Sequence, residues 1–123
     1  MTLDTNIVIA YLAGESSVVD ALTLFKNQGG ALLLPTIVEA EVLSFSKWSA
    51  EERTVTERFL EENFVSIPCD RVVARIASRL RTSSRIRLPD AIIAASALST
   101  RTPLATRNIK DFKNVVRLEL FQI

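Results

Sequence analysis

Short apolar runs alternate along this chain with longer stretches of helical period, and that alternation restricts its possible folds more than any other feature. Residues 2–3, 31–34, 64–67, 103–105 and 115–118 have the length and apolar content of strands. The segments between them read as helices at 6–13, 16–28, 36–46, 50–63, 70–81 and 89–99, several with a polar residue or a proline placed for the first turn. Strands joined through helices run parallel and need cover on both faces. The expected fold is therefore α/β, a three-layer α/β/α sandwich around a central, mostly parallel sheet. Ligands of such sheets gather at the carboxyl ends of the strands. Gln28-Gly29-Gly30 reads as a helix C-cap leading into the second strand.

With 123 residues, 48% hydrophobic and 24% charged, the chain suits one well-buried domain over 1–123, and so one site. A formal charge of +1, from 15 basic and 14 acidic residues, does not mark a nucleic-acid binder, so such a role has to rest on local distribution. The single cysteine, Cys69, cannot close an internal disulfide, and the opening MTLDTN has neither the basic region nor the apolar run of a secretory signal. No stretch reaches the ~18 uninterrupted apolar residues of a membrane span. A cytoplasmic protein with no membrane association is expected. Histidine is absent, which excludes imidazole as base, nucleophile activator or metal ligand. Catalysis falls to carboxylates, hydroxyls, amines or a metal ion.

Four acidic or amide positions stand out. Asp4 follows the first apolar run directly, where a strand hands over to a helix, and N-capping is the ordinary use of aspartate there. On the helix from residue 36, Val38, Val42 and Phe45, with Ile37 at one edge, mark a buried stripe, and at about 100° per residue Glu41 falls within it. Glu39, rotated from it by roughly 200°, faces elsewhere. A carboxylate on such a stripe needs a partner, either an arginine or a metal ion. Asp90 opens a helix that is apolar nearly all round, and attraction to the positive end of that helix accounts for it in isolation. Finally, Asn108 and Asp111 follow the fourth strand, where such residues form a turn or start a short helix, and Thr106 is placed to orient a water.

Each position has an ordinary explanation; the separate explanations do not account for all four lying at a strand end or helix start. Those ends converge in a parallel sheet. Clustered carboxylates repel one another, whereas a hard divalent cation neutralises them, prefers oxygen ligands and needs no imidazole. Mg²⁺ or Mn²⁺ bound there would leave room for a phosphate oxygen and a nucleophilic water, so phosphodiester hydrolysis is the chemistry expected.

The order of these motifs resembles that of the PIN-domain ribonucleases, especially the VapC-type toxins of type II toxin-antitoxin pairs. Leu3-Asp4-Thr5-Asn6 looks like the family's opening strand and first acid, and Ala40-Glu41-Val42 like its second. Leu88-Pro89-Asp90-Ala91-Ile92-Ile93-Ala94-Ala95 looks like the helix of the third acid, and Ala105-Thr106-Arg107-Asn108-Ile109-Lys110-Asp111-Phe112 resembles the closing motif. The resemblance implies a PIN-like fold and a Mg²⁺- or Mn²⁺-dependent endoribonuclease that leaves a 5′-phosphate, forms a homodimer and is inhibited by a cognate antitoxin. It implies Asp4, Glu41, Asp90 and Asp111 as catalytic metal ligands, with Thr5, Asn6 and Thr106 behind them. The family often has an aspartate where this chain has Asn108, which leaves both Asn108 and Asp111 as candidates for the fourth ligand. The opening strand is also short, with three residues before Asp4, so the natural start is expected upstream.

Six of the 15 basic residues fall between Arg71 and Arg87. Arg71, Arg75 and Arg79 share a helix face and read as a solvated surface, while Arg85 and Arg87, approaching Asp90, and Arg107 are candidates for RNA phosphates. Phe45 and Trp48 suit either core packing or an antitoxin helix. Rival readings are a free-standing PIN-type RNA-processing nuclease and a non-catalytic RNA- or protein-binding module with a decayed site. A phosphoaspartyl phosphatase ranks below these, because Asp4-Thr5-Asn6 lacks the second aspartate two positions on.

Overall fold

A computed structural model describes residues 1–44 and 47–123. Short strands of mostly apolar residues suit a sheet whose centre is buried on both faces, and Thr2, Leu3, Leu34, Leu104 and Ala105 are all at most 2% exposed. The strands are β1 (Thr2–Leu3), β2 (Leu33–Pro35), β3 (Val65–Ile67), β4 (Leu104–Ala105) and β5 (Leu120–Phe121). All pair in parallel, in the order β3-β2-β1-β4-β5. The central strand β1 sets the register: Thr2 lies opposite Leu33 on one side and Leu104 on the other, and Leu3 opposite Ala105. From β1 the chain first builds outwards through β2 and β3, then returns to place β4 on the other flank. The point between β1 and β4, where strand order reverses, opens a crevice at the carboxyl ends.

Among the described residues seven helices cover the sheet: α1 (Thr5–Leu12), α2 (Ser16–Asn27), α3 (Thr36–Leu43), α4 (Ala50–Asn63), α5 (Arg71–Ser84), α6 (Leu88–Thr100) and α7 (Ile109–Phe112). Their starts follow sequence-local chemistry. Ser49 and Glu52 form a reciprocal capping box on α4, and the Asp70 carboxylate accepts from the Val73 N–H at 2.9 Å to start α5. At the end of α2, Gly29 takes φ +88° and the N–H groups of Gly29 and Gly30 donate to the carbonyls of Lys26 and Phe25, the paired bonds of a Schellman cap. The core runs continuously from Met1, Leu3, Ile7 and Val8 through Leu22, Leu34, Val38 and Leu60 to Ile93, Leu104 and Phe112. Helix α6 supplies Ala91, Ala94, Ala95 and Ala97, all fully buried, whose small side chains let α5 and the sheet approach closely. No single helix among the described residues is long and apolar enough to cross a membrane.

The parallel three-layer sandwich expected from the alternation is the observed fold. Most elements start or stop within three residues of their expected bounds, and the fifth strand is the exception. It lies at Leu120–Phe121 rather than 115–118, with the short α7 inserted before it. Residues 115–118 read as a strand because they form a short apolar run, but only part of that run is buried. Val115 is 5% and Val116 77% exposed, and the φ of +68° at Arg117 interrupts any extended run. The helix expected over 36–46 is described as far as Leu43, and Phe45 and Ser46 lie outside the described residues.

Candidate active site

Asp4 stands where β1 ends and α1 begins, 3% exposed at the mouth of the crevice. Its backbone N–H donates to the Ala105 carbonyl at 3.0 Å, which ties it to the end of β4. Its carboxylate caps α1, with Oδ1 accepting from the Thr5 N–H at 2.8 Å. The ordinary explanation for Asp4 is therefore true, and it uses one oxygen. The other, Oδ2, accepts from the Thr106 hydroxyl at 2.7 Å and the Asn6 amide at 3.3 Å. Thr106 is fully buried, and its oxygen in turn accepts from the Asn108 N–H at 2.9 Å. Its hydroxyl proton is thus spent on Asp4, and the expected role in orienting a water gives way to one in fixing a carboxylate and the turn that follows β4.

Glu41 departs from expectation in burial and agrees with it in direction. It is exposed, although Val38 and Val42 beside it are buried. The helix α3 begins at the carboxyl end of β2, so at position 41 its inward side already overlooks the crevice. There Oε1 accepts from the Thr5 hydroxyl at 2.8 Å. No arginine answers this carboxylate: the salt bridges among the described residues are Arg53–Glu57 and Arg107–Glu15.

Asp90 sits half-buried in the first turn of α6, beside Pro89. Asp111 is exposed in α7, with Asn108 as the residue before that helix. The electrostatics bind the four acids into one group. Burial pushes the Asp90 carboxyl above its ordinary pKa, and the negative charges of Asp4, Asp111 and Glu41 push it further, against a smaller opposing pull from Arg87. Asp4 is also raised, by burial first; its bonds from Thr106 and Thr5 offset part of this, and Glu41 and Asp111 add to it. As they stand, no three acidic side chains among the described residues close up into a ready-made chelate. They bring oxygen donors to the crevice, none of them takes part in the salt bridges among the described residues, and they fit a hard divalent ion by donor chemistry and charge.

Cations collect on the Asp90 side. A cavity of about 200 Å³ is lined by Arg85, Arg87, Asp90, Lys110, Asp111 and Asn114, among others. Lys110 and Asn114 escaped the sequence reading because each is unremarkable in a polar loop; only the packing of α7 against α6 brings them to Asp90. Arg107 is otherwise engaged, gripping Glu15 with two nitrogens at 3.0 and 2.5 Å. On the Glu41 side, a hollow of about 400 Å³ is mainly apolar, lined by Ile9, Leu12, Ala13, Val42 and Trp48. The Trp48 indole N–H donates to the Val42 carbonyl at 3.1 Å.

The fold that carries these residues has counterparts in known proteins. Residues 1–118 match the family model described as the PIN domain. The chain belongs to the PIN domain family. Among solved structures, this PIN chain is similar to one in the crystal structure of VapBC2 from Rickettsia felis bound to a DNA fragment from their promoter. Identity there is 27% and the TM-score 0.85, covering 99% of this chain and 97% of that one. It is likewise similar to one in a toxin-antitoxin complex from Klebsiella pneumoniae, at 29% identity and TM-score 0.82, covering 99% and 98%. VapBC-1 from nontypeable Haemophilus influenzae shares the fold at 23% identity and TM-score 0.80, covering 98% and 96%. Among proteins with curated functions, none is close enough in sequence to count as a relative.

Proposed function

We propose that this PIN domain is a VapC-type endoribonuclease, the toxin of a toxin-antitoxin pair, which hydrolyses RNA phosphodiester bonds with Mg²⁺ or Mn²⁺. The observation that supports the reading is that Asp4, Glu41, Asp90 and Asp111 lie close enough to repel one another, with no salt bridge to any of them among the described residues. These four, with Asn108 beside Asp111, would hold the ion. A divalent cation bound there lowers the pKa of a water and stabilises negative charge on a phosphodiester.

The chain's own groups then have defined tasks. Thr106, Asn6 and the Thr5 N–H hold the Asp4 carboxylate in one orientation, and the Thr5 hydroxyl does the same for Glu41. Arg85, Arg87 and Lys110 line the neighbouring cavity and receive RNA phosphates on either side of the bond to be cut. Arg107 serves the architecture through Glu15, which leaves those three as the cations for RNA. An antitoxin is supported by the two similar toxin-antitoxin complexes, and the apolar hollow next to Glu41 offers its side chains a seat beside the carboxylates. We take the functional form to be a cytoplasmic homodimer whose whole length acts as one unit.

Cleavage of labelled structured RNA by purified protein, with Mg²⁺, Mn²⁺ or EDTA and beside Asp90→Asn, tests the proposal. Metal-dependent cutting that falls about 100-fold or more in the variant is expected. Absence of cutting under every metal would favour a binding module instead, and cutting that survives unchanged in Asp90→Asn would remove the carboxylate mechanism.

A further inference from the structure

At the opposite end of the sheet from the carboxylates lies a cavity of about 460 Å³, lined by Ala97, Leu98, Arg101, Thr102, Val116, Arg117 and Glu119. Its place follows from topology: Arg101 and Thr102 precede β4 and Arg117 to Glu119 precede β5, so the cavity sits at the amino ends of strands whose carboxyl ends face the crevice. Two of its lining residues share an unusual backbone. Among the described residues, three other than glycine have positive φ, and all three are arginines: Arg85 at 52°, Arg101 at 54° and Arg117 at 68°. Glycine and asparagine take that conformation with least strain, and this chain does use glycine for it at Gly14 and Gly29. Arg85 and Arg101 hold it as the C-caps of α5 and α6, where a cation also suits the negative end of a helix, while Arg117 holds it in a loop. Arg85 lines the small cavity beside Asp90, and the other two line this distant one. Neither Arg101 nor Arg117 takes part in a salt bridge among the described residues.

We infer that this cavity is a second nucleic-acid subsite, which holds one phosphodiester-linked nucleotide of an RNA strand away from the cleavage crevice. Two guanidinium groups against the single carboxylate of Glu119 leave one net positive charge, the complement of one phosphodiester. Guanidinium matches phosphate oxygens two at a time and stacks on bases. Leu98 and Val116, the latter 77% exposed, provide an apolar wall for a base, and Glu119 can accept from ribose hydroxyls. The volume is ample for a nucleotide unit and lies in the ordinary range for ligand sites. The inference depends on the proposed function only for the polymer being RNA.

Glycine makes the test a clean one, because Arg101→Gly with Arg117→Gly removes both guanidinium groups while suiting the backbone at each position. Binding of a short fluorescent single-stranded RNA is measured in EDTA, so that no cutting is needed, and the melting temperature of the double variant is followed alongside. The expected result is an affinity about tenfold weaker, a salt dependence shallower by about 0.7 in log–log slope for the one phosphate lost, and a melting temperature held or raised. AMP tested in parallel identifies the source: competition means that free nucleotides also seat there, and its absence restricts the site to a chain. Unchanged RNA affinity and salt slope in the double variant would overturn the inference, as would loss of binding to an acidic peptide with RNA binding intact. Since no cleavage is read, failure of the nuclease proposal would show separately, as RNA that binds but is not cut.

Discussion

Thr106 is the residue on which the geometry of the site turns. Its buried hydroxyl links the buried Asp4 carboxylate at the end of β1 to the Asn108 N–H at the start of the closing turn. Thr106→Val keeps the shape but leaves a buried carboxylate oxygen and a backbone donor short of partners. A loss of about 1–3 kcal/mol in denaturant-measured stability is expected, together with weaker metal binding. The sequence pointed to Thr106 as a residue behind the acids but not to its partner, since a hydroxyl one residue past a strand says nothing about which oxygen it will meet 102 positions away. Glu41 shows the opposite case. Its direction was legible from helical rotation, while its exposure was not, because periodicity defines a face without saying where along the helix the core stops and a crevice begins.

Helix α6 carries the main energetic constraint at the scale of elements. Ala91, Ala94, Ala95 and Ala97 are buried to 0% exposure on the helix that carries Asp90 and packs chiefly against α5. Ala94→Leu forces extra methylenes into a close-packed contact and should cost about 1–3 kcal/mol. A lowered melting temperature, with reduced metal affinity as Asp90 shifts, would confirm that the helix is held by packing. The near-continuous apolar character of this helix was plain in the sequence. The fifth strand was not, because Val115 and Val116 satisfy strand and turn patterns equally, and the positive φ at Arg117 that ends any extended run is not written in either.

For the whole molecule, the repulsion among the acids predicts how stability depends on pH. Asp4 and Asp90 have folded-state pKa values raised above the ordinary carboxylate value, so between those values the native state holds more protons than the unfolded state. Stability from these groups therefore falls as pH rises through the raised values, and the cost is fully present at neutral pH. Glu15 and Glu52 act in the other sense, lowered by Arg107 and by the Ser49 cap respectively, so the informative quantity is the difference between wild type and Asp90→Asn. Without metal, the variant should melt higher at neutral pH, and the gap should close as pH falls towards ~4. Mn²⁺ should reverse the order at neutral pH, stabilising wild type by about 2.7 kcal/mol at a hundredfold excess over its dissociation constant and the variant much less. A thermal melt series over pH, with Mn²⁺ or EDTA, reads both effects; a variant no more stable than wild type without metal would contradict them.

Alternation of apolar runs and helical segments was enough to determine the parallel sandwich, and strand ends together with helical rotation put Asp4, Glu41, Asp90 and the 108–111 segment forward as candidates. Both are local properties, since period and capping act within a few residues. Tertiary structure alone decided that Thr106 holds Asp4, that Arg107 pairs with Glu15, that Lys110 and Asp90 line one cavity, and that Arg101 and Arg117 line another. Each of those depends on which strand lies beside which, and the order of a sheet is settled by how the layers pack over the whole chain.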